Sequence, residues 1–61
     1  MNQETTRVLL LDDDPNLREL LSEILVVKGF EPIPVNTGAD ALARIEQQDI
    51  DVVLIDINLE D

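Results

Sequence analysis

Two runs of four aliphatic residues, Val8 to Leu11 and Val52 to Ile55, each stop at an aspartate: the first at Asp12, with Asp13 and Asp14 behind it, the second at Asp56. A continuous aliphatic run has no polar face. As a strand it suits a place covered on both sides, which is the condition inside a parallel sheet with helices above and below. The segments between the runs have the matching character. Asp14 can cap a helix, Pro15 suits its first turn, and Leu17, Leu20, Leu21, Ile24 and Leu25 recur at helical spacing on one face. Lys28 near the end complements the helix dipole, and Gly29 is placed for the left-handed turn that stops it.

"EPIPVN", residues 31 to 36, alternates β-branched residues with Pro32 and Pro34. Neither proline can donate a ladder hydrogen bond, so a strand here belongs at a sheet edge. Thr37, with Asp40 three residues on, resembles a capping box, and Ala39, Leu42 and Ile45 make a short apolar stripe ending near Gln47 or Gln48. "DVVLID", residues 51 to 56, is the third strand. The order strand, helix, strand, helix, strand predicts an α/β fold: a parallel sheet with right-handed crossovers. The prolines push the second strand to an edge and leave the two aliphatic strands as neighbours, giving the order 2-1-3 of doubly wound, flavodoxin-like sheets. That order predicts that Asp12 and Asp13 converge with Asp56 at one end of the sheet.

Size and composition narrow the chemistry. Sixty-one residues make at most one small domain, and chains of this size bury only roughly 60% of the surface exposed on unfolding. With no Cys and no His, neither thiolates nor imidazoles are available, and carboxylates remain as side-chain ligands suited to a hard cation such as magnesium. Fourteen acids against four bases give a net charge of -10, which opposes binding to a phosphate backbone, so nucleic acid is not an expected direct partner. "MNQETT" has no basic leader character and the apolar runs are too short to span a bilayer, so a soluble, cytoplasmic chain without membrane attachment is expected.

Aspartate is common at caps and strand ends, and each acid taken singly has that reading. Three carboxylates gathered at one sheet edge repel each other unless a cation or proton compensates, which favours a bound magnesium ion. The sequence "VLLLDDDPNLRELLSEIL", then "GF", "TGADAL" and "DVVLIDINLED", resembles the receiver domain of bacterial response regulators over residues 7 to 61. The resemblance implies the N-terminal half of that domain, residues 1 to 61, with Asp56 as phosphoacceptor, Asp13 as a direct Mg2+ ligand and Asp12 as a second acid acting directly or through water. It further implies that Asn58 offers its backbone carbonyl to the metal, and that a sensor histidine kinase donates the phosphoryl group from a phosphohistidine. The chain is then a phosphoryl acceptor and not an enzyme.

Receivers continue through two more strands and three more helices, bringing a Ser or Thr and a Lys that read the phosphoryl group. Neither has a counterpart here, Lys28 lies at the wrong end of its helix, and Glu60 stands where the family usually has Pro. Impaired phosphorylation is therefore expected, along with a homo-oligomer formed through the exposed edge of strand 3. The alternative is a half-domain that assembles without accepting phosphate. Haloacid dehalogenase chemistry fits poorly because Pro15 and Asn16 follow the acids, and a dinucleotide fold lacks its glycine-rich loop.

Overall fold

The computed structural model describes residues 5–55. Five elements follow in the expected order: β1 (Arg7–Leu11), α1 (Pro15–Val27), β2 (Glu31–Val35), α2 (Gly38–Gln47) and β3 (Val52–Ile55). The sheet is parallel with order β2-β1-β3, the receiver-like flavodoxin arrangement. β1 is its centre. Leu9 pairs with Ile33 on one side and Val53 on the other, and Leu11 with Val35 and Ile55.

The prolines explain why β2 is an edge. Glu31 N–H donates to Thr6 O at 2.9 Å, and backbone donors two residues apart point to the same side of a strand. Glu31, Ile33 and Val35 thus turn their N–H groups toward β1, while the donors missing at Pro32 and Pro34 fall on the free side. At the other flank, Asp51 ties the approach to β3 onto β1. Its N–H donates to Arg7 O at 3.0 Å, and its Oδ2 accepts from Arg7 N–H at 2.9 Å.

The core lies on both faces of β1. Leu9, Leu11, Ile33, Val35 and Ala41 of α2 form one buried cluster, with Ile50 packed against it. Val8 and Leu10, also buried, point to the opposite face by strand alternation. There Pro34 shares a cleft with Pro15, Arg18, Glu19 and Ser22, which sets α1 on that side. Helices on opposite faces are what two right-handed crossovers running in opposite directions along the sheet, β1 to β2 and then β2 to β3, produce.

Cover is uneven. β1 is buried on both sides, but β3 contacts β1 alone among the elements, and Val52, Val53, Leu54 and Ile55 are all 41–55% exposed. The apolar stripe of α1 is likewise half open: Leu17, Leu20 and Ile24 are exposed and no residue of this helix is fully buried. Among the described residues, no helix is long and apolar enough to cross a membrane.

Candidate functional site: the acidic end of the sheet

Both caps form where the residue types predict. Asp14, in extended conformation, accepts at Oδ1 from Asn16 N–H at 3.0 Å and Leu17 N–H at 3.4 Å, with Pro15 in the first turn of α1. The helix ends in a Schellman motif. Gly29 has φ of 94°, its N–H donates to Val26 O at 3.0 Å, and Phe30 N–H donates to Leu25 O at 2.8 Å. Thr37 Oγ1 accepts from Asp40 N–H at 3.0 Å, which is one half of the expected capping box.

Between β1 and α1 the three aspartates take three environments. Asp12 is 3% exposed, the one buried charged side chain among the described residues. Its Oδ1 accepts from Asp14 N–H at 2.9 Å, closing an Asx turn. Asp13 is exposed at the bend, and Asp14 is the exposed cap already described. A buried carboxylate is tolerated only with hydrogen-bonded compensation. Here that compensation includes the Asp14 amide, and the Asp12 N–H itself reaches Val35 O at 3.4 Å.

The register carries the site across the sheet. Leu11 pairs with Ile55, so the last described residues of the two aliphatic strands, each directly preceding an aspartate, stand side by side. Asp56 and Asn58, the expected phosphoacceptor and carbonyl ligand, lie outside the described residues, as does Glu60. Among the described residues, no three acidic side chains gather as a metal cluster. Asp12 and Asp13 supply hard oxygen donors, the type magnesium requires.

The sequence motifs did not single out Arg18, whose guanidinium Nη1 donates to Asp12 O at 2.6 Å. The available signal was arithmetic: it is the cation nearest in sequence to the three acids, one helical turn past the cap.

The response regulator receiver domain model matches residues 8–61. The chain belongs to this family. Its receiver relatives include the DNA-binding response regulator MtrA of Mycolicibacterium smegmatis, 36% identical over 97% of this chain and 26% of that protein. The protein-glutamate methylesterase/protein-glutamine glutaminase 3 of Rhodospirillum rubrum is 46% identical over 88% of the chain and 15% of its own length. The CAI-1 autoinducer sensor kinase/phosphatase CqsS of Vibrio cholerae is 36% identical over 87% and 8% respectively. The chain thus spans about a quarter or less of these relatives. No solved structure matches it significantly.

Proposed function

We propose that this receiver chain accepts a phosphoryl group on Asp56 from a phosphohistidine of a sensor histidine kinase in the cytoplasm, and that it is the first half of the domain. The observation that supports this best is the Leu11–Ile55 register, which sets side by side the two residues that directly precede Asp12 and Asp56 in the sequence. A carboxylate oxygen of Asp56 attacks phosphorus, the phosphorus–nitrogen bond of the donor breaks, and the electron pair returns to the imidazole. Asp12, Asp13 and Asp56, with the Asn58 backbone carbonyl, would hold Mg2+. When bound, the ion neutralises charge that develops on the phosphoryl oxygens. Asp12 contributes a carboxylate already held by its bond to the Asp14 amide. The family's Ser or Thr and Lys fall outside these 61 residues, so the 61-residue chain taken alone should hold the phosphoryl group poorly.

Incubation with magnesium and acetyl phosphate, followed by intact mass spectrometry, tests this. A gain of one phosphoryl group, removed by hydroxylamine and absent in Asp56→Asn, is expected. No gain in the wild-type chain, or an equal gain in D56N, would overturn it.

A second reading rests on β3. Its aliphatic residues are exposed on both faces, and such an edge is a template for strand pairing. Two copies pairing through β3, with a two-fold axis, would cover it and make the chain an assembly module whether or not Asp56 is phosphorylated. Light scattering after size exclusion is expected to report a dimer at micromolar concentration; a compact monomer would count against it.

A further inference from the structure

The chain has four cationic side chains, and three sit away from the acidic turn. Arg7 Nε pairs with Glu31 Oε1 at 3.3 Å at the start of β1. Lys28 is the C-cap of α1, and Arg44 Nη1 donates to Gln48 Oε1 at 3.2 Å at the end of α2. Arg18 alone serves the end where three consecutive aspartates sit, through its 2.6 Å bond to Asp12 O.

That bond completes a small frame. The Asp12 side chain holds Asp14 N–H, the Asp14 side chain holds the first amides of α1, and Arg18, one turn into that helix, reaches back to the Asp12 main chain. Arg18 N–H also donates to Asp14 O at 2.9 Å. The turn is therefore clamped from helix to strand by a charge-assisted bond, the stronger class of hydrogen bond. A positive group in that position also offsets the mutual repulsion of Asp12, Asp13 and Asp14 before any cation arrives.

We infer that Arg18 is a positioning residue: it acts through the Asp12 carbonyl to hold the acidic turn in the conformation that receives a divalent cation. The cation part of this rests on the function proposed above; the clamp itself does not. Without the clamp, cation binding must order the turn as well as occupy it, and affinity falls. The opposite sign, tighter binding once a positive charge is removed, is the outcome if Arg18 acts only as a repelling charge.

Amide exchange measured by NMR on the metal-free chain tests the clamp directly. In Arg18→Ala the Asp14 amide is expected to exchange on the order of tenfold faster, the scale of one lost hydrogen bond to a charged group, while Leu9 and Ile33 amides keep their protection. Arg18→Lys, which retains the charge and a donor, should restore part of the Asp14 protection; it also serves if R18A does not fold. Unchanged Asp14 exchange in R18A, or a rise matched by Leu9 and Ile33, would overturn the clamp. Titration with magnesium then reads the consequence: weaker binding in R18A with recovery in R18K supports the inference, and equal or tighter binding in R18A refutes it. Absence of magnesium binding in the wild-type chain would count against the proposed phosphoryl chemistry, with the Asp14 exchange still deciding the clamp.

Discussion

At Leu9 the side chain has no exposed surface, and it packs among Leu11, Ile33, Val35 and Ala41. Leu9→Ala should cost about 2–5 kcal/mol, a large share of the stability of any small domain, and its urea midpoint should fall accordingly. At Asp12 the expected result depends on the replacement. Asp12→Ala removes the acceptor of the Asp14 amide, at a cost of about 1–3 kcal/mol. Asp12→Asn keeps a side-chain oxygen and removes one of three neighbouring charges, so its stability should equal or exceed the wild type while magnesium binding weakens. Urea unfolding of both variants checks this; equal destabilisation would show that the hydrogen bond is unimportant. Gly29 raises a different issue. A Cβ there would meet nothing within 4 Å, but φ is 94°, so Gly29→Ala should lose about 1 kcal/mol from backbone conformation alone, and Gly29→Asn less.

The elements are fixed largely by their ends. Asp14 and Thr37 cap separate helices, and each replacement by Ala is expected to cost about 1 kcal/mol. Because the caps share no partner, the two losses should add within about 0.5 kcal/mol in a double variant, measured by urea denaturation. The two edge strands differ in how they meet solvent. β2 presents prolines on its free side and is closed to further pairing, whereas β3 presents Val52, Val53, Leu54 and Ile55 without such a device. These cap and edge features were legible in the sequence because they depend on residues one to three positions apart. The right-handed crossovers then left few ways to arrange three strands.

For the whole molecule, charge and exposed apolar surface oppose each other. Two copies each carry a net charge of -10, so association through β3 should strengthen as salt screens their repulsion, the Debye length being about 10 Å at 0.1 M. Val53 shares a face with Leu9 and is 41% exposed. Val53→Lys should lower the dimer fraction severalfold in light scattering, with circular dichroism unchanged. Association insensitive to both salt and V53K would place the contact elsewhere.

The sequence by itself determined the five elements, both helix caps, the glycine stop at Gly29 and the edge position of β2, since each follows from local hydrogen bonding and backbone geometry. Only the tertiary structure decided that Arg18, among four cations, reaches the Asp12 carbonyl, because side-chain reach depends on how α1 leaves the sheet. It also separated two runs of nearly the same composition. Val8 to Leu11 are 0–7% exposed and Val52 to Ile55 are 41–55% exposed. Burial is a property of neighbours, and β1 has a strand on each side and a helix on each face, while β3 touches β1 alone.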